Sequence, residues 1–168
     1  MYHSITFGYG EYSDGHFETE ANTWNDWHLI PSSRPSVPPP GTNLNLISLA
    51  GRNGSFDITD SIAGTTIYGD RSGTWEFIVD NGHALWVAIK ETITEFIHGR
   101  KLKCFLESDP NNIYTGRFSV NEWQSKESYS TIVINFTIDP YKSSTEQVDD
   151  WLWDPFNFLT DRTDGHTV

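Results

Sequence analysis

Short segments in which apolar and polar residues alternate recur along this 168-residue chain, and they constrain its fold more than any other feature. The clearest is 129–139, where every second residue from Ile132 to Ile138 is a large apolar one. Successive side chains of a β-strand point to opposite faces of the sheet, so this period of two predicts a strand with one buried face. The same reasoning predicts strands at 5–9, 44–49, 56–58, 65–68, 74–80, 102–107 and 114–123.

One segment has helical spacing instead. Its apolar residues recur every three or four positions, with Asp80 or Asn81 available as the N-cap and Gly99 as the stop, which predicts an amphipathic helix packed on the sheet. The apolar stripe consists of Leu85, Trp86, Ile89, Ile93, Phe96 and Ile97.

Turn residues separate these segments. Polar residues predict a loop at 11–25, and the sequences at 109–112 and 125–128 predict tight hairpin turns. Five glycines predict further turns between short strands: Gly51, Gly54, Gly64, Gly69 and Gly73.

Many short strands with one helix predict a mainly β (α+β) domain, whose antiparallel strands form a β-sandwich or small barrel with one packed α-helix. We expect this domain to span residues 1–142. Residues 143–168 are acidic and rich in Trp, and they are too few to fold alone. Their composition predicts a C-terminal arm that docks on a partner or on its own domain.

The charge of the chain excludes some classes of function. Eleven basic against twenty-three acidic residues give a net charge of −12, so a conventional nucleic-acid reader is not expected. No apolar run approaches the length of a membrane span. The first ten residues lack the pattern of a secretory signal, which predicts synthesis in a cytoplasm. With Cys104 as the single cysteine, no internal disulfide can form.

A search for catalytic, cofactor and metal sites finds none in the sequence. Acidic neighbours such as Asp149 and Asp150 rarely converge on one bond from opposite sides, and Cys104 lies in an alternating apolar strand that predicts burial. The histidines show no metal-site spacing: His3, His16, His28, His83, His98 and His166. We therefore expect no enzyme, although a small hydrolase with an unrecognised carboxylate pair stays open.

The seven Trp residues leave a second alternative, a carbohydrate-binding β-sandwich module. Trp75 and Trp86 fall on predicted core faces. The candidates for an exposed sugar platform are Trp24, Trp27, Trp151 and Trp153.

Two segments are predicted to dock on a partner or on their own domain, the proline-rich segment 31–41 and the C-terminal arm 143–168. The segment 31–41 contains five prolines, which forbid a helix or a central strand. They predict a stiff linker or a strap laid over a surface, with a proline-rich recognition motif as the alternative. Exposed proline and aromatic clusters are costly unless they are covered. The interface candidates are Arg34, Pro35, Pro38, Pro39, Pro40, Trp151, Trp153 and Phe156.

Six segments, taken in order, resemble one known family. Each is a turn or strand-end pattern that is weak alone, but their order and spacing together are specific: 22–35, 51–59, 68–71, 98–101, 114–120 and 139–142. They resemble the distal tail protein (Dit) of siphovirus-type bacteriophages and prophages, and the segment 150–156 is also similar to that family.

The resemblance implies a tail-tube-protein-like β-sandwich with one helix that assembles as a homohexameric ring in the baseplate at the tail tip. It implies a virion structural protein that joins the tail tube protein to the tail-associated or receptor-binding machinery and contacts the tape-measure protein. Genomic DNA would pass through the ring without specific binding, and an acidic lumen would let it slide. Many relatives carry a second, galectin-like domain after the Trp-rich segment, and this chain stops short of it. The carbohydrate-binding or adhesin-anchoring role of that domain is therefore not carried over to this chain, and both a naturally short member and a truncated product stay open.

Overall fold

The computed structural model of the protein describes residues 3–59, 61, 64–80, 82–126 and 129–145. Its helical segments include a 3₁₀ turn (His83–Leu85) and the 12-residue α-helix α1 (Trp86–Ile97). No helix in this part of the chain has both the length and the hydropathy needed to cross a bilayer. The strands are β1 (Ile5–Ser13), β2 (His16–Asn22), β3 (Leu29–Pro31), β4 (Leu46–Ser48), β5 (Ser55–Asp57), β6 (Arg71–Val79), β7 (Lys101–Leu106), β8 (Asp109–Ser125), β9 (Ser130–Ile138) and β10 (Ser143–Ser144).

Eight of the strands form one antiparallel sheet in the order β2-β1-β7-β8-β9-β6-β3, with β10 paired to the start of β8. The sheet curls into a half-barrel. β4 and β5 stand apart as a separate two-stranded sheet. The chain thus contains one large curved sheet and one small hairpin that does not belong to it.

Thr23 joins the two edges of the curled sheet. Its side chain is fully buried, and its Oγ1 accepts a hydrogen bond of 2.9 Å from the backbone N–H of Ile5 in β1. Its own N–H donates to the Ile5 carbonyl, and its carbonyl accepts from the N–H of Leu29 in β3. Together the three bonds fasten the turn after β2 to both β1 and β3.

The core fills the concave side of the sheet, and α1 covers it. Alternate residues of β6 and β9 point inward, and the ring of Phe7 meets that of Phe118 edge-on at 5.1 Å between centroids. Ile93 and Ile97 of α1 are fully buried in the same cluster, and Phe96 contacts Trp27 at 5.8 Å. The half-barrel and the helix therefore share one hydrophobic core.

The structure confirms the predicted fold class, a mainly β domain with one packed helix. The strands predicted at 5–9, 74–80, 102–107, 114–123 and 129–139 all form within the large sheet, and the buried face of β6 carries the residues expected: Trp75, Phe77 and Val79.

Several local predictions were wrong. The predicted loop at 11–25 contains the end of β1 and all of β2, a strand with only two apolar side chains, Phe17 and Ala21. The predicted strand at 65–68 is reduced to an isolated bridge between Tyr68 and Thr42. The segment 109–112, predicted as a turn, opens β8.

Gly73 was also wrongly predicted as a turn residue. It lies inside β6, where an added Cβ would come within 2.6 Å of the Phe136 ring. The position needs glycine because an aromatic ring packs over it, and the chain does not turn there.

The start of α1 differs from the prediction as well. A 3₁₀ turn precedes the helix, and the N-cap is Leu85, which makes no side-chain capping hydrogen bond and is 54% exposed. Asp80 is not the cap because the chain passes through the 3₁₀ turn first, and Asn81 lies outside the described residues. Gly99 follows the helix with a positive φ of 75°, as expected for a stop.

Candidate assembly surfaces

The proline-rich strap, residues 31–41, is fastened to β6 of its own domain. The indole N–H of Trp75 donates to the carbonyl of Ser36 at 3.0 Å, and the N–H of Ser32 donates to the carbonyl of Glu76 at 2.9 Å. Val37 packs against the core. The strap therefore continues from the end of β3 along the middle of β6.

Among the predicted interface residues in the strap, Pro35 is buried within its own chain. Arg34, Pro38 and Pro39 are exposed, and Pro40 is half-buried. An interface role for these residues stays a prediction, because the strap has both a fastened and an exposed side. The remaining candidates lie outside the described residues: Trp151, Trp153 and Phe156.

The separate two-stranded sheet exposes a cluster of large apolar side chains. We call residues 44–57, which contain β4 and β5, the apolar hairpin. Its five large apolar side chains are each 44–58% exposed: Leu44, Leu46, Ile47, Leu49 and Phe56. Sequence reasoning predicted both strands but missed that they leave the sheet. The signal was present, because the segment 44–49 carries apolar residues at both alternating positions.

One face of the apolar hairpin is organised around a cross-strand pair. Ile47 lies opposite Phe56, and Leu49 shares their face because it is two residues along the strand from Ile47. The guanidinium of Arg52 lies 5.4 Å from the centroid of the Phe56 ring. This face therefore combines three apolar side chains with one positive charge.

The root of the apolar hairpin is held at the start of β6. The N–H of Gly69 donates to the carbonyl of Gly41 at 2.8 Å, and Thr42 bridges to Tyr68. The ring of Tyr68 contacts that of Tyr141 edge-on, with centroids 6.4 Å apart. These contacts tie the base of the hairpin to the large sheet.

Several segments that carry the family resemblance meet at this same end of the sheet. The guanidinium of Arg71 donates twice to the carbonyl of Pro140, from Nε at 2.9 Å and from Nη2. The N–H of Asp139 donates to the carbonyl of Thr115 at 2.8 Å. Gly116 lies so close to β9 that an added Cβ would clash with the backbone there. The segments brought together are 68–71, 114–120 and 139–142.

Asp109 organises a polar network beside them. Its carboxylate accepts hydrogen bonds from the Asn112 amide at 2.6 Å and the Tyr114 hydroxyl at 2.8 Å, and Lys142 Nζ lies 3.5 Å away. The Asn112 hydrogen bond, helped by Tyr114 and Lys142, lowers the pKa of Asp109. Burial, with a further contribution from Asp109, raises the pKa of Tyr114 to about 12.

A groove of about 760 Å³ runs between α1 and the far end of β8. We call it the α1 groove. Its apolar part is formed by Trp86, Val87 and Trp123, and Val87 is 68% exposed. The other lining residues are Lys90, Glu91, Thr94, Glu95 and Ser125. Sequence reasoning missed this groove.

The structure describes only some of the residues that were considered as catalytic or metal-binding candidates. Within that part of the chain, no group of three or more His, Cys, Asp or Glu side chains is placed to hold a metal ion. Cys104 is fully buried, as predicted, and burial raises the pKa of its thiol. Asp149 and Asp150 lie outside the described residues.

One of the Trp residues considered for a sugar platform is buried. Trp27 was predicted to be exposed but is 3% exposed, because the turn that carries Thr23 draws it against Phe7 and Phe96 in the core. Trp24 is half-buried. Trp75 and Trp86 are buried, as predicted.

Comparisons with known proteins address the fold. No protein-family model matches the sequence, and no curated protein matches it either. The structure is similar to the crystal structure of the SPP1 Dit (gp 19.1) protein, described as a paradigm of hub adsorption apparatus in phages that infect Gram-positive bacteria. The TM-score is 0.53 at 16% identity, over 69% of this chain and 46% of that one. The chain thus spans about half the length of the structure that it matches. The comparison confirms the resemblance to Dit at the level of the fold.

Proposed function

We propose that this protein is a structural component of a bacteriophage distal tail that forms a homohexameric ring at the tail tip. The observation that carries the proposal is the similarity of its fold to that of SPP1 Dit, a hub protein. Three of the six segments that carry the sequence resemblance to the same family also meet at one end of the sheet.

The exposed surfaces of the chain fit a role in assembly. The apolar hairpin displays five large apolar side chains on a domain whose own core is already closed. Soluble monomers rarely display such a cluster without a partner to cover it. A contact between unlike surfaces of identical chains closes into a ring when its rotation fits.

The charge of the chain suits a conduit for DNA. A net charge of −12 repels phosphate, so DNA moving through the ring would meet little specific attraction. In this proposal the ring surrounds the DNA exit channel and acts as a passive wall.

The proposed neighbours follow from that position in the virion. The ring would join the tail tube protein on one side to the tail-associated or receptor-binding machinery on the other, with the tape-measure protein in contact. This baseplate position requires no catalytic group and no cofactor.

Labelling of intact particles tests the proposal. Phage particles produced by the bacterium that carries this gene would be purified and incubated with an antibody against the chain, then imaged in negative stain. We expect label at the tail end opposite the capsid. Particles with long tails that lack the chain by mass spectrometry, or label confined to the capsid, would contradict the proposal.

A further inference from the structure

We infer that the apolar hairpin of one copy docks in the α1 groove of the next copy. The inference rests on the proposed function, because it requires the chain to associate with itself. It specifies which two surfaces meet and that they belong to unlike ends of the two copies.

The two surfaces lie at opposite ends of the large sheet. β6 and β9 pair from Arg71 opposite Ile138 to Val79 opposite Ser130. The apolar hairpin is rooted at the Arg71 end, whereas the groove is bordered by Ser125, which pairs with Ser130 at the other end. About 26 Å of strand separates these ends at 3.3 Å per residue. A contact between them therefore joins unlike ends of two copies.

The apolar parts of the two surfaces match in chemistry. Ile47, Leu49 and Phe56 form one exposed face of the hairpin. The groove offers two indole rings, Trp86 and Trp123, with Val87 at its rim. Docking would remove the three hairpin side chains, Val87 and the exposed part of Trp123 from water, which is the main favourable contribution to association, and would place them beside the already buried Trp86.

The charges of the two surfaces are complementary. Arg52 lies on the same hairpin face as Phe56, to whose ring it is held. Glu91 and Glu95 line the groove one helical turn apart, while Lys90 is the one cation there, so the lining carries one net negative charge. An arginine entering between these carboxylates favours one orientation of the hairpin over the reverse.

The geometry of this contact explains why copies would assemble in a series. Each copy carries one hairpin and one groove, so each can give and receive one contact at the same time. Such head-to-tail contacts produce a closed ring when the rotation per copy fits, and an open filament when it does not.

Disulfide trapping tests the contact in the full chain. The double variant Ile47→Cys/Val87→Cys should form a ladder of products larger than a dimer on a non-reducing gel after mild oxidation. Either single-cysteine variant should give cross-linked products no larger than a dimer. The native Cys104 does not compete because it is fully buried.

The matched control moves both cysteines by one residue, in Leu46→Cys/Ala88→Cys. Leu46 lies on the opposite hairpin face from Ile47, and Ala88 is exposed on α1 but does not line the groove. We expect no ladder from this pair. Equal ladders from both pairs, or none from the first, would overturn the inference.

Charge reversal provides a second test. Arg52→Glu should weaken self-association about tenfold, the size expected for a close charge pair at an interface. Adding Glu91→Arg to that variant should restore much of the loss. An association constant that is unchanged by Arg52→Glu, or not restored by the second change, would contradict the proposed orientation.

The tests separate this inference from the proposed function. A wild-type chain that assembles without the ladder contradicts the docking and leaves the ring in place. A ladder from a chain that is absent from phage particles supports the docking and contradicts the role in the tail.

Discussion

The half-barrel and the apolar hairpin have similar sequence patterns but opposite surroundings. Phe77, in the half-barrel, is fully buried, whereas Phe56, in the hairpin, is 47% exposed. Both lie in strands in which apolar and polar residues alternate. The difference is that β6 and its neighbours concentrate their large apolar residues on one face, while the segment 44–49 distributes them over both.

This difference separates the residues that stabilise one copy from those that can join copies. A one-sided strand satisfies its apolar face within its own sheet, as β9 does under α1. In the apolar hairpin, the described residues leave the large apolar side chains of both faces 44–58% exposed. We expect substitutions in the two regions to have different consequences.

The largest effect should come from truncating a core aromatic. Phe77→Ala removes a fully buried ring and leaves a cavity, so we expect the free energy of unfolding to fall by about 3–5 kcal/mol. Urea unfolding, at a protein concentration where the chain is monomeric, measures this free energy.

The matched variant Phe56→Ala should change the same quantity by no more than about 0.5 kcal/mol, because the ring is exposed in the monomer. It should instead weaken self-association. Equal losses of monomer stability from the two variants would show that the hairpin stabilises the monomer as much as the half-barrel does.

A smaller effect is expected at the junction of the sheet edges. Thr23→Val keeps the size of the side chain but removes the oxygen that accepts the Ile5 N–H, so unfolding should become easier by about 1–3 kcal/mol. Thr92→Val, on the exposed side of α1, serves as the control and should cost no more than about 0.5 kcal/mol. Hydrogen exchange should also speed up at the Ile5 amide, and an unchanged rate there would argue against this role for Thr23.

The smallest effect concerns acid stability. The pKa of Asp109 is lowered in the folded state, so the ionised carboxylate contributes stability above its unfolded value. That contribution is lost as the pH falls below the ordinary value of 3.8 through the folded pKa. Asp109→Asn should flatten this part of the pH–stability curve. Superimposable curves for the two proteins below pH 4 would show that the network contributes nothing.

The sequence predicted the half-barrel well because its strands carry a one-sided pattern. β2 was missed because it is an edge strand with only Phe17 and Ala21 to mark its buried positions. Gly73 was misassigned because its reason for being glycine, the Phe136 ring, is 63 positions away in the sequence. Contacts at that separation leave no local signal.

The candidate surfaces were predictable only in part. Five prolines were enough to predict a strap, but its fastening to Trp75 depends on a hydrogen bond across the fold. The α1 groove joins residues of the helix to Trp123, and no spacing pattern links those positions. The apolar hairpin was the exception, since its two-sided composition is visible in the sequence.

The native mass of the purified chain shows whether copies of it associate into a ring. Light scattering across a concentration series, with negative-stain images of the eluted species, would measure it. We predict a mass that rises with concentration and stops at a closed ring of six copies of 19.2 kDa, about 115 kDa. A chain that remains monomeric at every concentration, or that grows without limit into filaments, would contradict the proposed ring.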